Sequence, residues 1–327
     1  MKLNIPILFL VFNRIDTTKQ VFQKIRLVKP KILYIASDGP RNNREGEYEK
    51  VKNVRDFIIK SIDWDCEIKT LFHDKNLGCG KAVSCAITWF FKNEEMGIIL
   101  EDDCLPSLSF FIYCEELLLK YKDNPIIWHI AGNNPLTEIK SKYSYYFARV
   151  QHCWGWASWR RAWNYYNFDI IDLDKFCNEG INKIFTRKED KRYWINIFNK
   201  MYNHEIDTWD YQWAYTIMKN NGICINPTKN LIKNIGFGED ATHTTYTDDA
   251  YNKQKYYDIY NNTNEVEHNL IHPKYIKINN NLINKINKVT FGIKNDSLIK
   301  IILKKYLNNN IYNKLKLIMK VFNKNRK

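Results

Sequence analysis

The sequence lacks an apolar run long enough to cross a membrane. Its clearest candidate, IPILFLVF at residues 5–12, falls well short of the roughly 20 residues that a spanning helix needs. The same run is too short for a secretory signal with its cleavage site. We therefore expect a cytoplasmic protein with neither a membrane span nor a signal peptide.

Cysteine pairs at metal-binding spacing are also missing. The eight cysteines include no C-x-x-C pair and no cluster with histidine at the spacing of a zinc site. Most of them lie in apolar or helical-looking stretches, as reduced thiols of a protein core do. This pattern indicates a reducing compartment.

Excess positive charge is absent from most of the chain, although the net charge is +14. Between Pro273 and Lys327 there are 14 Lys or Arg and one acid, Asp296, so the preceding 272 residues are close to neutral. A nucleic-acid-binding protein spreads basic residues over a folded face, and no DNA- or RNA-binding motif is present. We expect no nucleic-acid partner.

Strand-like and helix-like segments alternate over the first 130 residues. Apolar runs at 5–12, 31–37, 66–72 and 97–100 are separated by stretches of helical pattern. Continuous apolar strands that alternate with helices are typical of an α/β fold, in which helices cover both faces of a mostly parallel sheet. The sequence predicts this fold class.

From residue 131 the pattern is less regular. A helix is predicted near 208–222 and a strand near 222–227, and the composition changes to Asn, Lys and Ile after His272. We place a domain boundary at that point. It separates a body, residues 1–272, from a helical, basic C-terminal tail, residues 273–327.

Polar side chains follow the predicted strands at the edge where such sheets bind ligands, beyond their carboxyl ends. They are Asn13, Arg14, Asp38, Glu101, Asp102 and Asp103. The last three are consecutive carboxylates, which resist ionising together unless a cation or hydrogen-bond donors compensate them. If the strand stays extended, its period of two turns Glu101 and Asp103 to one side and Asp102 to the other.

Three motifs in this order, SDGP at 37–40, DKNLGCGKAV at 74–83 and EDD at 101–103, resemble the nucleotide-sugar domain of GT-A glycosyltransferases. The likeness is strongest to N-acetylglucosaminyltransferase I and to bacterial capsular and surface polysaccharide glycosyltransferases. It covers about residues 5–247 and implies a Rossmann-like GT-A domain. The donor half would end near residue 130 and the acceptor half would follow, whereas the tail has no counterpart.

The resemblance implies a UDP-sugar donor and a divalent cation, Mn²⁺ or Mg²⁺. Asp103 would bind the cation, and His243 would bind the cation or the diphosphate unless it is a solvated or core histidine. The implied donor-binding residues are Asn13, Arg14, Asp38, Gly78, Gly80, Lys81, Glu101 and Asp102. Asp38 also suits an Asx turn, and Gly78 and Gly80 suit an ordinary turn before a helix.

A transferase also needs a base for the attacking hydroxyl. Asp210, in TWDYQW at the start of a predicted helix, is the predicted base, although a helix N-cap is an alternative role. Glu205 and Asp207 are nearby substitutes. Trp154 and Trp156, in CWGWASW, are predicted to line the acceptor site because sugars pack on aromatic rings, although large aromatics also fill cores.

These features predict a metal-dependent glycosyltransferase that inverts the anomeric carbon, because one catalytic carboxylate acts without a covalent intermediate. It would transfer N-acetylglucosamine or a related hexose to a saccharide or lipid-linked saccharide acceptor of a surface polysaccharide. One enzymatic alternative is a sugar-1-phosphate nucleotidyltransferase, whose Gly-rich N-terminal signature is missing. The other is a non-catalytic membrane or nucleic-acid adaptor with a basic tail.

The tail suggests where such an enzyme would act. Residues 311–322 place apolar side chains on one helical face and lysines elsewhere, a pattern typical of helices that lie on anionic membrane surfaces. Helices packed on the body and a disordered tail are the alternatives. The first interpretation predicts a peripheral enzyme at the inner face of the cell membrane.

Overall fold

The computed structural model describes residues 2–236 and 269–293, and the structural statements below concern those residues. The strands of the N-terminal part are β1 (Ile7–Val11), β2 (Ile32–Ser37), β3 (Glu67–Phe72) and β4 (Met96–Glu101). The helices between them are α1 (Ile15–Val28), α2 (Glu47–Ser61) and α3 (Cys79–Asn93). The alternation predicted for the first hundred residues is thus confirmed.

The remaining part is more irregular. Its strands are β5 (Cys104–Pro106), β6 (Ile127–Ala131), β7 (Tyr145–Ala148), β8 (Trp156–Trp159), β9 (Ile223–Pro227) and β10 (Ile232–Asn234). Its helices are α4 (Leu108–Lys120), α5 (Arg160–Trp163), α6 (Leu173–Lys175), α7 (Ile181–Ile184), α8 (Lys188–Tyr202), α9 (Asp210–Lys219) and α10 (Asn280–Thr290), with a π-helical turn at Phe176–Gly180. None of the helices in these ranges is long and apolar enough to span a bilayer.

Eight strands form one sheet in the order β3-β2-β1-β4-β8-β6-β9-β7 within the described ranges. The first four are parallel, and β6 pairs in parallel with β9. Strands β8 and β7 run antiparallel to their neighbours. The fold is therefore α/β with a mixed, mostly parallel sheet, as the sequence predicts.

Helices cover both faces of this sheet. Along β1, Ile7 and Phe9 belong to one buried cluster, whereas Leu8 and Leu10 belong to the other. Helices α1, α2 and α4 contribute to the first cluster, and α3, α5 and α9 contribute to the second. Because both faces are buried, β1 needs an apolar residue at every position, which explains its continuous apolar run.

An aromatic layer joins β6 and β8 to α9. Trp156 is fully buried and stacks on Trp209 at 5.5 Å and on His129 at 5.1 Å between ring centroids. The indole Nε1 of Trp213 donates to His129 Nδ1 at 3.2 Å, so His129 Nε2 carries the proton and donates to the carbonyl of His152 at 3.0 Å. These contacts fix α9 relative to the sheet.

Residues 273–293 pack on the body, although the sequence analysis assigned them to the tail. Ile283 and Ile286 of α10 are buried, and the Asn287 amide donates to Asp190 of α8 at 3.1 Å. Phe291 lies 5.0 Å from the Trp194 ring. The change of composition after His272 therefore does not mark the end of the folded body, because apolar residues of α10 find a surface on α8. Residues 294–327, the rest of the predicted tail, lie outside the described ranges.

Candidate active site

A cavity of about 230 Å³ opens at the carboxyl ends of β1, β2 and β4. The first turn of α3 closes one side of it. Predicted site residues that line the cavity are Asn13, Arg14, Asp38, Gly78, Glu101 and Asp102. The structure thus brings polar groups from three strand ends to one place, at the edge where parallel sheets bind ligands.

Arg14 holds two of the three consecutive carboxylates. Its Nη2 lies 2.7 Å from Asp102 Oδ1 and 2.9 Å from Asp103 Oδ2. Burial opposes the charge of Arg14, but the two aspartates outweigh it and raise the Arg14 pKa. Since β4 ends at Glu101 and the chain turns at residues 102–103, the strand alternation is lost there. Asp102 and Asp103 therefore share a partner, which corrects the expectation that they point to opposite sides.

Glu101 and Asp102 are unfavourable places for negative charge. Burial, followed by the charges of Asp103, Asp102 and Asp210, raises the pKa of Glu101 well above its usual range. Burial also raises the pKa of Asp102 to about 6, although Arg14 acts in the opposite direction. Added positive charge would favour the ionised forms of both. The cavity thus favours a ligand that brings a cation with it.

Asp103 lies against the backbone of the segment after β10. Strand β10 pairs with β5, and Ile235 N donates to the Asp103 carbonyl at 2.8 Å. A Cβ atom added to Gly236 would lie 2.1 Å from Asp103 Oδ2. Glycine at position 236 therefore makes room for the carboxylate.

Asp38 organises the loop in front of α3. Its carboxylate accepts backbone N–H groups from Gly39 and Leu77, at 2.8 and 2.9 Å, and from Gly78 at 3.2 Å. The Asn76 side chain adds a fourth donor at 2.9 Å. Burial raises the Asp38 pKa, while these backbone donors lower it. These donors use the acceptor positions of the carboxylate, so Asp38 shapes the cavity through this loop and does not present a free acceptor to a uracil ring.

Asp207 holds the first turn of α3. Its two carboxylate oxygens accept N–H groups from Cys79 at 3.0 Å and from Gly80 at 2.9 Å. Negative charge is favourable at a helix N-terminus, where amide groups are unpaired. Asp207 also lines the cavity. The sequence analysis considered it only as a substitute base, because nothing in its local sequence indicates a contact with α3.

Asp210 begins α9, as predicted. The Thr208 hydroxyl donates to Asp210 Oδ1 at 2.5 Å, and the Asp210 carbonyl accepts from the Gln151 side chain at 3.0 Å. Its charge is close enough to raise the pKa of Glu101. The predicted base is thus oriented by its own loop and lies near the carboxylate run.

A charged pair missed by the sequence analysis supports Asn13. Glu47, 4% exposed, accepts from Asn13 Nδ2 at 2.9 Å and forms an ion pair with Arg41. Burial opposes the charge of Glu47, but Arg41 outweighs it and lowers the Glu47 pKa. Arg41 also lines the cavity. The local sequence gave no signal for the pair, because Arg41 lies in a turn-rich stretch and Glu47 in a helix with an ordinary pattern.

Three other predicted residues are placed elsewhere. Lys81 is exposed in the first turn of α3 and is not part of the cavity wall. Trp156 is 0% exposed within the aromatic layer, so it packs in the core and does not line an acceptor site. Trp154 is partly buried against the first core cluster. His243 lies outside the described residues.

The carboxylates suit a hard divalent cation, because Mn²⁺ and Mg²⁺ prefer oxygen ligands. No group of three or more metal-ligating side chains is found within residues 2–236 and 269–293. Mg²⁺, however, often uses only one or two carboxylates when substrate phosphates complete its ligand shell. Asp103 therefore fits a cation that arrives with a diphosphate, since its present partner, Arg14, would then be exchanged for the cation.

Solved structures share the outline of this fold. The neighbours are transferases. The mannosyltransferase PcManGT from Pyrobaculum calidifontis, in complex with GDP-Man and Mn2+, aligns at 10% identity and TM-score 0.37 over 68% of this chain and 70% of that chain. S. aureus TarS 1-349 aligns at 10% identity and TM-score 0.39, over 70% of this chain and 59% of that chain. The inositol-1-phosphate CTP transferase from T. maritima aligns at 9% identity and TM-score 0.35, over 79% and 97%.

No protein-family model and no curated protein matches the chain. At these identities the structural likeness concerns the fold alone.

Proposed function

We propose that this protein is a metal-dependent, inverting glycosyltransferase. It transfers N-acetylglucosamine or a related hexose from a UDP-sugar to a saccharide acceptor. The observation that carries the proposal is the convergence of Arg14, Glu101, Asp102 and Asp103 at one cavity on the carboxyl edge of the sheet, with Asp210 nearby.

Transfer from a nucleoside diphosphate sugar requires neutralisation of the leaving diphosphate. Bound to Asp103, a divalent cation would supply Lewis-acid stabilisation of that charge. Arg14 would then be free to bind a diphosphate oxygen, because the cation takes over its carboxylate partner. Glu101 and Asp102 would face the donor sugar and ribose.

Asp210 accepts the proton of the attacking hydroxyl. The hydrogen bond from Thr208 to Oδ1 fixes the orientation of its carboxylate. A single displacement that is assisted by one base inverts the anomeric carbon. We assign the acceptor to a surface polysaccharide or a lipid-linked oligosaccharide, and the segment 294–327 to attachment at an anionic membrane.

Thermal unfolding with a panel of nucleotide sugars tests the proposal. UDP-sugars with Mn²⁺ should raise the unfolding midpoint by several degrees, because a ligand that binds only the folded state stabilises it. Asp103→Asn should abolish the Mn²⁺-dependent part of the shift. Asp65→Asn, which changes an exposed aspartate, should respond as the wild type does.

The competing functions predict different outcomes. Stabilisation by a nucleoside triphosphate with a sugar phosphate, but not by any UDP-sugar, would indicate a nucleotidyltransferase. A panel without any shift would leave only the non-catalytic adaptor. Normal metal-dependent binding by Asp103→Asn would contradict the metal role of Asp103.

A further inference from the structure

The loop before α9 is attached to the first turn of α3 at the cavity. Asp207 accepts from Cys79 N and Gly80 N, while Asp38 accepts from Leu77 N and Gly78 N. Two aspartates from distant parts of the chain thus bind four successive backbone amides. The same turn lines the cavity to which we assign the donor.

The fit between Asp207 and this turn is close. A Cβ atom on Gly80 would lie 2.8 Å from Asp207 Oδ1 and 2.8 Å from the Thr208 carbonyl. A Cβ on Gly78 would lie 2.8 Å from Asp207 Oδ2. The two glycines therefore allow the loop before α9 to approach the helix N-terminus.

Only two residues separate Asp207 from Asp210, and both are held. Thr208 donates its hydroxyl to Asp210 Oδ1 at 2.5 Å, and Trp209 stacks on Trp156 at 5.5 Å. A shift of Asp207 would therefore move the group that orients Asp210. Catalytic effects are sensitive to misplacement of about 1 Å.

We propose that Asp207 is a positioning residue that couples the donor-cavity turn to the catalytic base. This role rests on the proposed function. Asp207 acts through Thr208 on Asp210 and does not itself take a proton. Its carboxylate sets the base in register with the donor, because both are tied to the N-terminus of α3.

Asp207→Asn tests the coupling, because the amide keeps the size of the side chain but can accept only one of the two hydrogen bonds well. We expect the dissociation constant of UDP to change by less than threefold and kcat to fall at least tenfold. The matched control, Asp174→Asn, changes an exposed aspartate in the first turn of another helix and should retain wild-type kcat.

Gly80→Ala approaches the same contact from the other side, because its methyl group would displace Asp207 and Thr208. It should lower kcat as Asp207→Asn does. If the two changes break one contact, the double variant should be no worse than the weaker single variant within threefold. Wild-type kcat in Asp207→Asn, or fully multiplicative losses, would overturn the coupling. So would loss of transfer in Asp207→Asn with none in Gly80→Ala, which would make Asp207 the base itself.

Hydrogen exchange separates this proposal from the proposed function. Asp207→Asn should speed exchange of the Cys79 and Gly80 amides and of the first turn of α9 together, and Asp174→Asn should not. Exchange that increases in α3 alone would refute the coupling, even in an active enzyme. A wild-type protein that neither binds nor uses any UDP-sugar would instead refute the proposed function.

Discussion

At the scale of single residues, Arg14 makes an otherwise unfavourable sequence tolerable. Asp102 and Asp103 are adjacent and mostly buried, with side chains 6% and 17% exposed. Buried like charges are strongly unfavourable unless they are compensated, and one guanidinium reaches both. Removal of Arg14 would leave two uncompensated buried carboxylates, so the pair serves stability as well as binding.

Asp210→Asn should separate binding from chemistry. The amide keeps the hydrogen bond with Thr208 within reach but cannot accept a proton from the attacking hydroxyl. We expect the dissociation constant of the UDP-sugar to stay within threefold of the wild type, while kcat falls by about 10²–10⁴. Isothermal titration and initial rates at saturating donor measure the two quantities. Turnover close to that of the wild type would remove Asp210 as the base.

The sequence predicted which residues meet at the cavity better than how they pair. Strand ends located Arg14 and the carboxylates of 101–103, because parallel strands end at one edge. The turn at 102–103 and the capture of Asp38 by the Leu77 and Gly78 amides depend on tertiary contacts. No local pattern encodes such contacts, and the same is true of Asp207.

At the scale of secondary-structure elements, the aromatic layer holds α9 on the sheet through neutral histidines. Burial lowers the pKa of His129 to about 3 and that of His152 to about 4. His129 must stay neutral at Nδ1 to accept from Trp213. Protonation in the unfolded chain therefore competes with folding.

Acid should destabilise the protein through these two histidines. Their stabilising contribution is complete above the unfolded pKa of about 6.5 and is lost as the pH falls toward 4, because the unfolded state takes up protons first. Between pH 7 and pH 5 we expect a loss of roughly 2 kcal/mol per histidine. Urea unfolding at pH 7, 6 and 5 measures it.

The control separates these histidines from other acid-sensitive groups. His152→Asn should remove about half of the loss, whereas His204→Asn should remove none, because His204 is exposed. Asparagine also tolerates the positive φ of 56° at position 204. Equal acid sensitivity in the wild type and in His152→Asn would contradict the assignment.

Regular elements were predictable where burial is simple. Every residue of β1 is buried, so its apolar run identified it, and the strand at residues 223–227 was identified in the same way. The π-helical turn Phe176–Gly180 and the short helices beside it give no clear period over so few residues. Trp156 could be assigned to the core only after its neighbours were placed, because aromatic residues suit cores and sugar sites alike.

At the scale of the whole molecule, charge and folding divide the chain at different points. The basic composition begins near Pro273, but packing continues through α10 to Ile293. Residues 294–327 contain ten Lys or Arg and one acid. A strongly basic segment therefore follows a nearly neutral folded body.

Two truncations should distinguish these boundaries. A chain that ends at Ile293 should unfold at the wild-type urea midpoint but lose binding to vesicles that contain anionic lipid. A chain that ends at His272 also loses α10, and we expect destabilisation by about 3 kcal/mol or more, because Ile283 and Ile286 are buried. Undiminished vesicle binding by the longer truncation would contradict the membrane role of 294–327.

The ion pairs of Arg14 bear on when this protein would carry metal in a cell. A cation on Asp103 must replace a guanidinium that lies 2.9 Å from Oδ2, so metal alone meets an internal competitor. A nucleoside diphosphate sugar removes this competitor by offering Arg14 new anionic oxygens. Linkage then requires each ligand to raise the affinity of the other by the same factor. On the proposed function, metal occupancy would follow the supply of donor sugar, and a cell depleted of donor would recover its metal from the enzyme.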